Sequence, residues 1–196
     1  MDPKTLLGPG LNVSLYPAFL DPVQADAAYQ ELAALFTGKP SWRRANLTYG
    51  DLGVSYTIRF TDGVAHRIAI GWTPLLATIR DRITALTGQQ YNVCVVQWYP
   101  WGRVDIKPHR DKEMTPGTTI CGVSLGATRD LALARGGTTH TLPLPHGSLY
   151  LFSPPTNDYW SHSIVRDDTV KEPRISLTFR NYVTGKNAVA CENERR

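Results

Sequence analysis

Long hydrophobic runs are missing from this chain of 196 residues: its apolar stretches are short and interrupted, so no segment is suited to span a membrane. Cysteine is scarce. Cys94, Cys121 and Cys191 are widely spaced and form no C-x-x-C arrangement, which leaves reduced structural thiols and excludes a disulfide or zinc framework. There is no internal repeat and no linker that would split the chain, so one domain over residues 1–184 is expected, followed by a polar tail over 185–196. Met1-Asp2-Pro3-Lys4 lacks the charged and apolar regions of a secretory signal, and an intracellular location, nucleus or cytoplasm, is expected. A monomer is the expected form. Neither sign of charge dominates: 21 Lys and Arg against 17 Asp and Glu give a formal net charge of +4 and a pI near 9.0. Such mild basicity is compatible with a polyanionic partner without requiring one.

What is present is a soluble-protein composition, 42% apolar and 19% charged, with two helical stretches and many short β segments. Asp21-Pro22 opens a predicted helix through about Phe36, with Ala25, Ala28, Leu32, Leu35 and Phe36 as its stripe. A second helix is predicted from Pro74 to Leu86, ended by Gly88. After Gln90 the pattern turns to short strands: Tyr91–Tyr99, Thr118–Leu125, Asp130–Ala134, Thr138–Leu144, Ser148–Phe152, His162–Val165 and Arg174–Tyr182. Many short strands punctuated by Gly, Pro and Asn predict a mainly β fold, a jelly roll (double-stranded β-helix) with the helices supporting one sheet.

The chemistry sits in His109, Asp111 and His162, an H-x-D pair and a later His, followed by Arg174 and Arg180. Two imidazoles and a carboxylate suit Fe(II) held on one face with other positions open. Two residues apart on a strand, His109 and Asp111 would face the same way. A surface pair remains open for the dipeptide pattern alone, and zinc accepts the same ligands. His66, His140 and His146 have no carboxylate two residues away, and for His140 and His146, in a hairpin-like stretch, an exposed histidine is the plain reading. An Arg after the triad suits a dicarboxylate co-substrate, whose carboxylate its planar fork can pair bidentately.

Several ordered motifs resemble the AlkB family of iron- and 2-oxoglutarate-dependent nucleic-acid dealkylases, especially the animal DNA-repair members. They are Tyr49-Gly50-Asp51-Leu52-Gly53, Gln97-Trp98-Tyr99, His109-Arg110-Asp111, Val123 through Asp130, His146-Gly147-Ser148-Leu149, Trp160-Ser161-His162 and Arg174 through Arg180. The resemblance implies that His109, Asp111 and His162 are the iron ligands. It further implies that Arg174, assisted by Tyr99, pairs the distal carboxylate of 2-oxoglutarate, with Arg180 at the end nearer the metal. Thr178 shares the strand face of Arg174, Ser176 and Arg180. Where this chain has Gln97 and Ser176, the family often has Asn.

The implied reaction consumes 2-oxoglutarate and O2, releases succinate and CO2, and hydroxylates an N-methyl group that leaves as formaldehyde. Bases of the 1-methyladenine and 3-methylcytosine type are the implied substrates. A base inside a duplex cannot reach such a centre, so it must be flipped out or already single-stranded. By the same resemblance Tyr49, Gly50 and Asp51 line the base pocket, Tyr stacking and Asp accepting from an exocyclic amine, and Glu113 is a second acceptor. Arg43 and Arg44, with Lys39, Trp42 and Tyr49, make a basic-aromatic stretch suited to a single strand; a solvated loop is its alternative. Because the segment from Phe36 to Tyr49 is short, single-stranded DNA or RNA is expected over duplex. Lys112 either touches phosphate or repels a cationic base. A protein-directed oxygenase on the same scaffold is the alternative function.

Overall fold

The computed structural model describes residues 2–39, 42–60, 63–112 and 114–183. In chain order the elements are β1 (Lys4–Gly8), β2 (Leu11–Tyr16), α1 (Pro22–Ala34), β3 (Ala45–Gly50), β4 (Ser55–Phe60), β5 (Gly63–Ile68), α2 (Pro74–Thr87) and β6 (Val93–Tyr99). They continue with β7 (Ile106–His109), β8 (Ile120–Gly126), β9 (Arg129–Arg135), β10 (Thr138–Leu144), β11 (Ser148–Phe152), α3 (Thr156–Tyr159), β12 (Ser161–Ile164) and β13 (Arg174–Arg180). A seven-stranded sheet runs β1-β2-β11-β8-β13-β6-β3 and a four-stranded sheet runs β10-β9-β12-β7, while β4 and β5 form a separate hairpin.

Both long helices begin where their caps dictate. The Asp21 carboxylate accepts from the Gln24 backbone N–H at 2.9 Å, and Gln24 Oε1 accepts from the Asp21 N–H in return, satisfying two of the otherwise orphaned donors of the first turn. Thr73 caps α2, which ends at Gly88 in the left-handed region at φ 71°, where a side chain would be strained. The first helix stops two residues short of the sequence expectation, and Phe36 turns in to stack on Trp98 at 5.6 Å.

Two apolar layers result. Leu32, Leu76, Ile79 and Ile83 of the helices pack against Cys94, Val96, Leu177 and Phe179 on the outer face of the large sheet. Val93, Tyr99, Tyr150 and Phe152 of its inner face pack against Leu131, Leu133 and Ile164 of the small sheet. This is the expected β architecture with its supporting helices, and Cys94 and Cys121 are buried free thiols as expected; Cys191 lies outside the described residues, as does the 185–196 tail. Among the described residues no helix is long and apolar enough to cross a membrane.

Five strands precede residue 90 where the sequence reading placed none. The signal is present in β2, whose Leu11, Val13 and Leu15 are buried while Asn12, Ser14 and Tyr16 are partly open, the period-two pattern of a half-buried strand. A strand carrying His109 is also present, as β7, and it holds Pro108. It lies at the edge of the small sheet, where a missing N–H costs no ladder bond.

Candidate metal and co-substrate site

Strand pairing brings the histidines together. His162 on β12 lies directly opposite His109 on β7, and the ring centroids are 4.3 Å apart. Asp111 is not on the strand with His109, contrary to the same-strand expectation: β7 ends at His109, and Asp111 is placed by the chain beyond it. A reciprocal side-chain clamp fixes it there. The Asp111 N–H donates to Asn157 Oδ1 at 2.9 Å, and Asn157 Nδ2 donates to the Asp111 carbonyl at 2.7 Å. The triad's candidate ligand atoms all lie within 4.8 Å of one another.

The donor set fits a divalent metal. His109 Nδ1 donates to the Lys107 carbonyl at 2.9 Å, so its Nε2 keeps a free lone pair, 3.7 Å from Asp111 Oδ1. Burial, the largest influence, with Asp111 opposing it, lowers the His162 pKa to about 4, so this imidazole is neutral and able to ligate at physiological pH. Burial alone would raise the Asp111 pKa, but the Arg180 guanidinium, then His162 and His109, outweigh it and hold the carboxylate ionised. Asp111 Oδ2, although 2.8 Å from Arg180 Nη2, is not aligned for a hydrogen bond, and His162 Nδ1 has no partner either.

Next to the triad, β13 presents Arg174, Ser176, Thr178 and Arg180 to the space between the sheets while Ile175, Leu177 and Phe179 face the helices. Arg174 is 1% exposed. Its Nε donates to Ser124 Oγ at 2.8 Å, its Nη2 to Ser176 Oγ at 3.3 Å, and its guanidinium lies 5.2 Å from the Tyr99 ring. Tyr99 Oη donates to Gln97 Oε1 at 3.0 Å. Arg174 Nη1 and Arg180 Nε are buried without a hydrogen-bond partner. A buried and a mostly buried cation, each with an unpartnered nitrogen on one strand face, suit a ligand carrying two carboxylates.

The expected substrate-binding residues divide between the two sides of β3 and the loops beside the centre. Tyr49 is buried beneath the helices with Leu76, Ile79 and Phe179. Pleating decides this: Tyr49 pairs with outward-facing Cys94, whereas Thr48 pairs with inward-facing Val95. Gly50 is a close-approach glycine, since a Cβ there would lie 2.3 Å from the Asn92 carbonyl oxygen. Asp51 is exposed and accepts from the Trp72 indole N–H at 2.6 Å. Glu113 lies outside the described residues. Lys112 is exposed directly after Asp111. Arg43 is exposed and packs over the Trp42 ring at 4.9 Å, while Arg44 turns inward to 5.8 Å from the Tyr99 ring.

Sequence reasoning missed Tyr56, Tyr182 and Asn157, which the fold brings to the site, and Arg129. The last donates to the carbonyls of Trp101, Gly102, Val104 and Val165, pinning two loops together. His146 is not a plain exposed side chain: it accepts from the Gly126 N–H at 2.8 Å and contacts Asp26 at 3.2 Å.

The model of the 2OG-Fe(II) oxygenase superfamily matches residues 12–180. The human DNA oxidative demethylase ALKBH2 is 35% identical over 90% of this chain and 76% of its own length. The human alpha-ketoglutarate-dependent dioxygenase alkB homolog 3 is 28% identical over 86% of this chain and 65% of its own length. Among solved structures, OsALKBH1 superposes with a TM-score of 0.64 at 16% identity, covering 91% of this chain and 100% of that one. A Pseudomonas putida prolyl-4-hydroxylase gives 0.53 at 15% identity, over 87% and 93%; at such identities the likeness is one of fold. The matched span contains the whole triad, Arg174 and Arg180, and the chain belongs to the AlkB family of the 2OG-Fe(II) oxygenase superfamily.

Proposed function

We propose that this protein is an Fe(II)- and 2-oxoglutarate-dependent dioxygenase that demethylates N-alkylated DNA bases, of the 1-methyladenine and 3-methylcytosine type, and so directly reverses alkylation damage. The observation that carries the reading is the 35% identity with a DNA oxidative demethylase over 90% of the chain. The site is consistent with it: a two-His-one-carboxylate cluster, with Asp111 and His162 buried and His109 partly exposed, stands beside two arginines that each keep a buried, unpartnered nitrogen.

In this reading His109, Asp111 and His162 hold Fe(II). Arg174, flanked by Tyr99, Gln97, Ser124 and Ser176, binds the far carboxylate of 2-oxoglutarate; Arg180, beside Thr178, serves the end near the metal. Bound together, Fe(II), 2-oxoglutarate and O2 supply the oxidation that hydroxylates the N-methyl group, which leaves as formaldehyde. The chain's part is binding, orientation and exclusion of water. Burial, the largest influence, lowers the Arg174 pKa, yet a guanidinium stays charged in a protein; at Arg180 burial is outweighed by the Asp111 carboxylate, which raises the pKa, and the low-dielectric setting strengthens each pairing. The apolar layer between the sheets closes the site behind them. The working unit is the domain through residue 184, acting as a monomer inside the cell.

Trp42, 71% exposed with Arg43 lying over it, offers a face for base stacking and a cation for phosphate, and exposed Lys112 is a further phosphate contact. The substrate is preferentially single-stranded: Phe36, the aromatic that opens the short segment before β3, is 4% exposed and stacked against Trp98. Extruding a paired base costs a few kcal/mol, and Phe36 is not free to repay it by filling the gap in the stack.

The test is mass spectrometry of oligonucleotides carrying one methylated base, incubated with protein, Fe(II), 2-oxoglutarate and ascorbate. Single-stranded DNA should lose its methyl group faster than the matched duplex at equal salt. Succinate production unaccompanied by any demethylation of DNA would overturn the substrate assignment. A duplex rate at or above the single-strand rate would overturn the strand preference alone.

A further inference from the structure

We propose that Tyr182 is a positioning residue of the co-substrate site, holding Arg180 in orientation and tying it to the β4–β5 hairpin. The proposal rests on the oxygenase reading above. Tyr182 lies two residues past Arg180 and is 2% exposed. Its backbone is latched on both sides by Asn92: the Tyr182 N–H donates to Asn92 Oδ1 at 2.8 Å, and Asn92 Nδ2 donates to the Tyr182 carbonyl at 2.9 Å. Met114 forms a β-bridge with it as well. The ring is thereby returned over the end of β13, where its Oη accepts from Arg180 Nη1 at 2.8 Å.

Arg180 is then held at two of its three nitrogens. Nη1 is bound to Tyr182, Nη2 lies 2.8 Å from Asp111 Oδ2, and Nε is buried without a partner. A planar guanidinium hydrogen-bonded at one nitrogen and ion-paired at a second has the direction of its third N–H restricted, as recognition of a carboxylate requires. Removing the phenol leaves one anchor, and the plane can swing about Asp111. The other face of the arrangement is aromatic. Tyr182 stacks on Tyr56 of β4 with centroids 4.3 Å apart and planes 13° from parallel, and Tyr56 Oη reaches Thr48 Oγ1 at 3.3 Å. A continuous chain of contacts, Thr48–Tyr56–Tyr182–Arg180–Asp111, thus joins the hairpin to the metal triad. An ordinary core aromatic in this place would have no use for its hydroxyl.

The test separates hydroxyl from ring. Tyr182→Phe keeps the stack and removes the acceptor; Tyr182→Leu removes both. 2-Oxoglutarate is titrated calorimetrically into the Mn(II)-loaded protein, and single-stranded oligonucleotide binding is measured separately by fluorescence anisotropy. Tyr182→Phe should weaken 2-oxoglutarate on the order of tenfold, in keeping with one hydrogen bond to a charged group, and leave oligonucleotide binding unchanged. Tyr182→Leu should weaken both ligands. Wild-type affinity for 2-oxoglutarate in Tyr182→Phe, or equal loss of both ligands in that variant, overturns the proposal even if Tyr182→Leu fails to fold. Wild-type protein that takes up no 2-oxoglutarate overturns the oxygenase reading itself. Wild-type uptake without demethylation of DNA overturns only the substrate, and the titrations still decide the role of Tyr182.

Discussion

Strands β13 and β3 both flank β6, one on each side, yet they differ in what their residue types convey. On β13 polarity and face agree: Arg174, Ser176, Thr178 and Arg180 turn to the interior and Ile175, Leu177 and Phe179 to the helices. On β3 they disagree. The aromatic Tyr49 goes under the helices and the small Thr48 goes to the site side, hydrogen-bonded to Tyr56. Alternation is imposed by the backbone, so a run of four polar residues at spacing two declares its face, while a single Tyr-Gly-Asp does not. One residue of register separates a pocket residue from a core residue.

The largest effect expected from breaking the β13 side comes from the triad it adjoins. Asp111→Ala should reduce succinate formation by more than the roughly 10–100-fold typical of groups that only support a ligand. It removes the carboxylate and leaves Arg180 buried without its counter-charge. Asn157→Ala, which removes only the clamp on the Asp111 backbone, should fall near the lower end of that range. Metal affinity measured by competition with a chelator checks both. An Asp111→Ala protein that binds iron and forms succinate at the wild-type rate would dismantle the triad.

Arg174→Ala comes next. Removing a charged partner from a buried carboxylate costs about 2–5 kcal/mol, so 2-oxoglutarate binding should fall steeply while oligonucleotide binding is kept. Separate titrations of the two ligands decide it, and equal losses would count against a dedicated co-substrate role.

These two predictions rest on the part of the site that was legible from the chain. His109, Asp111, His162, Arg174 and Arg180 carry unusual chemistry at fixed spacing, and their convergence needed only the strands after Gln90, most of which were visible. What was not legible depended on long-range placement. Asn157 reaches Asp111 across 46 residues and Asn92 reaches Tyr182 across 90, and nothing local marks either asparagine. That β7 ends at His109, leaving Asp111 to the chain beyond it, was not legible either, because the clamp that holds Asp111 comes from Asn157. The faces of β3 were hidden because its pocket residues were assigned by likeness of motif and not by pleat.

On the β3 side the expected effects are smaller and of another kind. Tyr49→Leu should cost stability, on the order of 1–3 kcal/mol for disturbing a packed core site, because the ring is 6% exposed beneath the helices. The thermal midpoint should drop while the demethylation rate of the folded fraction stays within about twofold. A selective rise in KM for the oligonucleotide, at an unchanged midpoint, would return Tyr49 to the base pocket.

Asp51→Ala is the sharpest form of the comparison because its expected effect is the smallest. The carboxylate is exposed and bonded to the Trp72 indole at 2.6 Å; Trp72 is itself held by a stack on Phe179 and by Arg80 over its face. Losing one exposed hydrogen bond should cost about 0.5–1.5 kcal/mol at most, with Trp72 kept in place by its other contacts. Base recognition at Asp51 predicts something different. A flipped base robbed of its acceptor leaves a desolvated amine, which costs about 1–3 kcal/mol and appears as a rise in KM for methylated adenine or cytosine. Measuring KM and the melting midpoint on the same preparation distinguishes the two. A tenfold rise in KM at a constant midpoint would mean that the segment after β3 rearranges when nucleic acid binds, bringing Asp51 from the Trp72 side to the metal side. An unchanged KM leaves the inward side of β3 to Thr48, with Tyr56 beside it on β4.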